Sequence, residues 1–217
     1  MIQVKSMTFD SEEIGRAVVS PLSAVARDTE QSVFIDKLKA GDALAFETLI
    51  DRYSNDIYAL LFRLTENAEE ASDLSQETFM RAVRSIKSFR GDSELKTWLF
   101  RIAINESRNR FRWWKRRRRD VTVSIDATIG DSDMTLADTL SDKSISPEDA
   151  ALTHEREYAI KAALIDIPDV YREAIVLCDI EGLSYEETAV ALDVSIGTVK
   201  SRISRGREEL RRRLKDF

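Results

Sequence analysis

An all-α protein in two small helical domains joined by a flexible acidic linker is the architecture this sequence predicts, the C-terminal domain being a helix-turn-helix. Three observations carry it. Seven Gly and three Pro among 217 residues, with 33% of the chain charged and 43% hydrophobic, leave long unbroken stretches with apolar residues at spacings of three and four. Residues 120–146 are acidic, rich in Ser, Thr and Asp, and nearly aperiodic, which marks a connection too long for the inside of one compact domain. Residues 182–214 read as two helices around a sharp, doubly capped turn, the second helix strongly basic.

The elements follow in order. Residues 1–31 show no sustained period and are expected to form a mobile N-terminal extension. A short helix spans Ser32–Lys39 and ends at Gly41. Asp42 caps a second helix with the apolar stripe Phe46, Leu49, Ile50, Tyr53, Ile57, Leu60, Leu61 and Leu64. A third follows Asn67, with Ala71, Leu74, Phe79, Ala82, Val83 and Ile86 inward. The loop Phe89-Arg90-Gly91-Asp92-Ser93 leads to a fourth helix from Glu94, with Leu95, Trp98, Leu99, Ile102 and Ala103 inward, which drifts into the basic run 108–119. After the linker, Ser146-Pro147 starts a helix reaching about Ile167, with Ser as cap and Pro in its first turn. Pro168 opens the next, with Val170, Ala174, Ile175, Leu177 and Cys178 inward, closing near Gly182. The domains are thus expected at 32–119 and 147–217.

In the last hairpin, Ser184 and Glu187 form a capping box that starts a helix at Tyr185. Tyr185, Thr188, Ala189 and Leu192 share one face. Asp193 suits a left-handed turn, and Ser195 caps a helix to about Leu214 with Val199, Ile203, Leu210 and Leu214 apolar. Lys200, Ser201, Arg202, Ser204, Arg205 and Arg207 stand between them. Periodicity alone leaves open an amphipathic hairpin with a solvated basic face. The short turn, capped on both sides, favours a helix shaped for the DNA major groove. So does Gly197, which costs about 1 kcal/mol in a helix but lets a phosphate approach the helix N-terminus.

The charge is partitioned in the same sense. The net charge is −6, yet residues 100–119 carry +8 and residues 196–217 carry +5, leaving −19 on the remainder. Two basic patches suggest two DNA contacts, and the acidic remainder suits a basic partner. Cys178 stands alone in an apolar context and His154 is the single histidine, so no metal site, disulfide or cofactor is expected. No apolar run of membrane-spanning length exists, and the start lacks a signal peptide's pattern. A cytoplasmic protein without membrane insertion is expected. No P-loop string and no acidic cluster with a histidine speaks for an enzyme.

Over residues 35–217 the chain resembles bacterial sigma factors of the extracytoplasmic-function group. The strings that carry the resemblance are GDALAFETLIDRY, DLSQETFMRAV, SFRGDSELKTWLFRIAINESRNRFR and YREAIVLCDIEGLSYEETAVALDVSIGTVKSRISRGREEL, in that order. The resemblance implies a promoter-specificity subunit without catalysis, with core RNA polymerase and promoter DNA as partners, an anti-sigma factor as regulator, and a monomer when free. It implies polymerase docking by Asp73, Gln76 and Glu77, although an ordinary solvated acidic face would look the same. It implies −10 recognition by the loop residues Arg90, Asp92, Ser93 and Lys96, with Arg101, Asn105, Arg108, Asn109 and Arg112 on the strand. For Trp113 and Trp114, base stacking and packing at the domain edge both remain open. It implies −35 recognition by Ser195, Thr198, Lys200, Ser201, Arg202, Ser204 and Arg205, some of the arginines clamping phosphate rather than reading bases. Two positions depart from the family pattern. Ser195 stands where proline is frequent and Asp193 where glycine is frequent; both suit a cap and a turn. The alternative is a conventional helix-turn-helix regulator, which would need a sensing domain that residues 35–113 do not offer.

Overall fold

The computed structural model describes residues 21–120 and 159–214, and every regular element among them is helical. The chain divides into two compact units, residues 1–46 and 47–217. In the first, α1 (Pro21–Ala40) begins well before the expected Ser32, so residues 21–31 are helical and continuous with the helix expected there. Residues 1–20 of that expected extension lie outside the described residues. Helix α1 stops at Gly41, whose φ of +86° only glycine adopts freely. The Asp42 carboxylate then accepts hydrogen bonds from the Leu44 and Ala45 backbone N–H groups at 2.9 and 3.3 Å, capping α2 (Ala43–Thr65).

The second unit takes up the remainder of α2, whose inward residues Leu49, Ile57, Leu60 and Leu61 are almost fully buried. Ile50, expected on that stripe, is instead 41% exposed. Helix α3 (Ala68–Ser85) is capped by Asn67, which accepts from Glu70 N–H at 2.9 Å. It buries Ala71, Leu74, Phe79 and Ala82, together with Thr78, whose hydroxyl donates to the Leu74 carbonyl. Val83, also expected inward, faces outward. A 3₁₀ turn (Ile86–Ser88) and the loop to Ser93 follow, with Phe89 buried against Trp98 at 5.2 Å between ring centroids. Helix α4 (Leu95–Asp120) buries Leu95, Leu99, Phe100, Ala103 and Ile104, and packs against α3 and α7.

The expected linker beyond Asp120 and the start of the helix expected from Pro147 lie outside the described residues. The later part of that helix is present as α5 over 159–166. Helix α6 (Asp169–Ile175) continues into a π-helical turn (Val176–Ile180) that the sequence pattern did not signal. Val170, expected inward, is 42% exposed, because the crossing with α8 is made through Tyr171 and Ile175 instead. Cys178 is only half-buried, and burial together with the neighbouring Asp179 raises its thiol pKa, which makes a thiolate harder to form. Helix α7 (Tyr185–Leu192) carries the full Ser184–Glu187 capping box. The turn to α8 (Ile196–Arg213) passes through Asp193 at φ 58°, ψ 50°.

Gly206 is where α8 meets α6. A Cβ there would lie 2.5 Å from Ile175 Cδ1 and 3.2 Å from Tyr171 Cβ, so any larger residue would force these side chains to shift. Leu164, Ile167 and Ile175 make the small core beneath it, closed over by Tyr171 and Leu210.

Candidate nucleic-acid interface

The first functional surface is α8. Ser195 ends the turn, and its hydroxyl accepts from Thr198 N–H at 3.2 Å and pairs with the Thr198 hydroxyl at 2.9 Å. Ser195 and Thr198 therefore fix where the helix begins. Val199, Ile203 and Gly206 face the core. The opposite face presents Lys200, Ser201, Ser204 and Arg205, all exposed. Ser201 donates back to the Thr198 carbonyl at 2.9 Å, and Lys200 lies 6.0 Å from the Tyr185 ring centroid. Arg205 has no hydrogen bond or ion pair among the described residues. Gly197 sits on this face, with only Ser195 Oγ within 4 Å of a would-be Cβ, at 3.8 Å.

Two other α8 arginines are placed differently from Arg205. Arg202 is half-buried and its Nη1 is enclosed without a hydrogen-bond partner among the described residues, so it sits at the edge of the core instead of on the open face. Arg207 grips Asp179 with two hydrogen bonds of 2.9 and 2.6 Å, fastening α8 to the π-helical turn, and this contact raises its already high pKa. Arg211, which the sequence reading did not single out, is exposed and follows Lys200, Ser204 and Glu208 at helical spacings of four and three.

The second surface is the loop after the 3₁₀ turn together with α4. Arg90 and Asp92 are exposed and Ser93 is half-buried, around Gly91 at φ +82°. Lys96 is held by Asp56 at 2.7 Å and lies 5.2 Å from the Phe100 ring centroid. Asn105 is exposed. Asn109 accepts from Arg112 at 2.5 Å. These last two line an open groove of about 920 Å³ with Glu77, Glu106, Arg110, Trp113 and Arg116. Trp113 and Trp114 are 43% and 48% exposed and meet edge to face at 5.3 Å, with the Arg117 guanidinium 4.6 Å from the Trp113 centroid.

Arg101 and Arg108 are placed differently. Arg101 Nη2 lies 3.0 Å from Asp193, in the turn before α8. Arg108 donates from Nε and Nη2 to both oxygens of Glu173 at 2.8 and 2.5 Å, and from Nη1 to the Leu192 carbonyl at 3.4 Å. The Glu173 hydrogen bond holds the Arg108 guanidinium above its ordinary pKa. Two further contacts join the same halves: Arg63 to Glu181 at 2.5 Å, and Arg172 Nη1 to the Leu64 carbonyl at 2.9 Å. At Glu181 burial outweighs the attraction of Arg63 and raises the carboxyl pKa.

The third surface is the outer face of α3. Asp73 and Gln76 are exposed, and Glu77 is tied to Arg110 at 2.7 Å. Met80 and Val83, 54% and 45% exposed, extend the row. The sequence pattern had Val83 inward and did not single out Met80.

No helix among the described residues is long and apolar enough to cross a membrane, and none of those residues form a metal-binding group. Residues 49–119 match the family description Sigma-70 region 2, and residues 158–210 match Sigma-70, region 4. The RNA polymerase sigma-H factor of Pseudomonas aeruginosa is 38% identical over 177 residues, which cover 81% of this chain and 89% of that protein. The ECF RNA polymerase sigma factor SigW of Bacillus subtilis is also 38% identical, over 84% of this chain and 96% of its own. Among solved structures, the sigma factor RpoE from Bartonella quintana, in complex with the anti-sigma factor NepR, superposes with a TM-score of 0.57 at 31% identity, covering 78% of this chain and 96% of that one. CnrH, solved with the cytosolic domain of CnrY, shares the fold at a TM-score of 0.60 and 24% identity, covering 86% and 97% of the two chains. With both conserved regions in order and relatives aligned over nearly their full length, the chain belongs to the extracytoplasmic-function sigma factors of the sigma-70 family, the subunits through which bacterial RNA polymerase recognises promoters.

Proposed function

We propose that the promoter is read by two surfaces of this chain and that a third docks the polymerase. Lys200, Ser201, Ser204, Arg205 and Arg211 of α8 contact the −35 element in the major groove, with Ser195, Gly197 and Thr198 bringing a phosphate to the helix N-terminus. Arg90, Asp92, Ser93 and Lys96, with Arg101, Asn105, Arg108, Asn109 and Arg112, take the −10 strand. Asp73, Gln76 and Glu77, with Met80 and Val83, bind core polymerase. The working division of the chain is 32–119 for polymerase and −10 binding, 120–146 as linker, and 147–217 for −35 binding. The protein acts in the cytoplasm without catalysis of its own. An anti-sigma factor regulates it, as the partner of the Bartonella relative suggests.

The observation that carries this reading is the open face of α8, cationic and unobstructed at Gly197, opposite a face packed through Val199, Ile203 and Gly206. In vitro transcription with core polymerase on a promoter library tests it. Promoter-dependent transcripts are expected. Duplex binding without transcripts would make the chain a conventional helix-turn-helix regulator.

A further inference from the structure

We propose that the open groove between α3 and α4 binds a free guanine nucleotide, Glu106 and Asn109 reading the base, Trp113 stacking on it, and Arg112 and Arg116 taking its phosphates. The inference goes beyond the promoter reading and needs neither DNA nor polymerase.

Glu106, Asn109, Trp113 and Arg116 follow one another at steps of three, four and three, which puts them on one face of α4, and all four line the groove. Its volume of about 920 Å³ lies within the range of small-molecule sites. The opposite wall carries Glu77, whose charge is matched by Arg110 at 2.7 Å. Glu106 is matched less well. Its side chain is only 19% exposed, yet its one ion pair among the described residues is with Arg81 at 3.8 Å, beyond hydrogen-bond range. It makes no hydrogen bond among those residues. A carboxylate so far withdrawn from water needs donors, and a ligand with two adjacent N–H groups supplies them.

Asn109 selects the base. Its Oδ1 accepts from Arg112 at 2.5 Å, and a guanidinium can only donate, so the amide N–H₂ group is left to donate elsewhere. Guanine presents two adjacent donors, N1–H and the 2-amino group, beside the O6 acceptor. Adenine and cytosine each present one amino donor beside a ring nitrogen that accepts, which sets a lone pair against the carboxylate. Trp113 is 43% exposed, and an aromatic face stacks on any base. Arg112 and Arg116 are exposed, and Arg116 has no hydrogen bond or ion pair among the described residues. The local charge of +8 over residues 100–119 draws an anion to this helix. Asn109 and Arg112 are also assigned to the −10 strand, so a bound nucleotide and the strand exclude one another.

The test is equilibrium dialysis of the full chain against radiolabelled GDP and ADP, with neither DNA nor polymerase present. GDP should be held at least about tenfold more tightly than ADP, the margin of one bidentate base contact. Glu106→Gln turns one acceptor into a donor. It should lose at least about tenfold in GDP affinity and gain affinity for xanthosine diphosphate, whose 2-oxo group accepts. A merely structural role for Glu106 would not exchange one base for the other. Arg116→Ala should weaken GDP severalfold and leave guanosine unchanged; it changes an exposed side chain, and serves if circular dichroism shows that Glu106→Gln folds poorly. An oligo-dT strand carrying a single dG tests the other source of a guanine. Equal affinity for GDP and ADP, no detectable GDP binding, or an unchanged base preference in Glu106→Gln each overturns the proposal. So does a dG strand held more tightly than GDP, with that margin lost in Glu106→Gln, because the occupant is then a base of the strand. Promoter-directed transcription with core polymerase is read separately, and its absence would sink the sigma reading without touching the nucleotide result.

Discussion

Two glycines of α8 should respond in opposite ways to the same substitution. In a helix, Gly→Ala gains up to about 1 kcal/mol from propensity where space allows. At Gly197 it does allow: the new methyl meets only Ser195 Oγ, at 3.8 Å. At Gly206 the methyl would sit 2.5 Å from Ile175 Cδ1 and 3.2 Å from both Ile175 Cγ1 and Tyr171 Cβ, and Ile175 is 3% exposed, so its side chain can yield only by disturbing a packed core. Overpacking of that kind costs about 1–3 kcal/mol, so Gly206→Ala should come out destabilising by up to about 2 kcal/mol after the propensity gain. At about 2–4 °C per kcal/mol for a chain of this size, thermal denaturation of the full chain should show Gly197→Ala level with wild type or slightly above it, and Gly206→Ala several degrees below. Function should reverse the order. Gly197→Ala puts a methyl where a phosphate is proposed to sit, so duplex −35 binding measured by anisotropy should weaken across all sequences alike. Gly206→Ala, assayed well below its melting temperature, should bind nearly as wild type. A Gly197→Ala protein that is less stable, or that binds promoter DNA normally, would refute the reasoning about the open face of α8.

The two arginines that sequence alone treats alike should separate. Arg205→Ala should lose roughly 1–3 kcal/mol of −35 binding and relax preference at one position if its contact is bidentate to a base, whereas Arg202→Met should be read mainly in the melting temperature, because part of its guanidinium is already enclosed. Charge reversal at Asp73 and Glu77 should weaken polymerase co-purification while leaving helicity intact, since the Glu77–Arg110 pair is a surface contact worth about 1 kcal/mol or less; Met80→Asp should do the same without touching a charge pair, and polymerase binding at the wild-type level by both variants rules the surface out. Glu66 and Glu181 have carboxyl pKa values raised above the ordinary 4.5, chiefly by burial. A raised carboxyl contributes stability that is fully present below the ordinary value and is lost as pH rises through the raised one. Glu181→Gln should therefore flatten the fall in melting temperature just above pH 4.5, and an unchanged profile would show that Glu181 is not buried in solution.

The helix ends were legible in the sequence because the interactions that set them are local. Asp42, Asn67, Ser184 with Glu187, and Ser195 each cap through hydrogen bonds spanning two or three residues, and Asp193 takes the left-handed turn by its own tolerance. The open face of α8 was legible for the same reason, since helical spacing alone places Lys200, Ser204 and Arg205 opposite Val199 and Ile203. What lay beyond the sequence were choices that depend on which helix stands opposite. Ile50, Val83 and Val170 fit an apolar stripe by period, yet they are exposed. Gly206 carries no signal of its own in the sequence, yet a Cβ there would run into Ile175 and Tyr171 of α6. Arg101 and Arg108 carry the same charge and repeat as a strand-binding row, yet they meet carboxylates supplied by the other end of the chain. A cation's partner is chosen by docking, and docking reflects the summed fit of whole faces, which no local pattern of residues records.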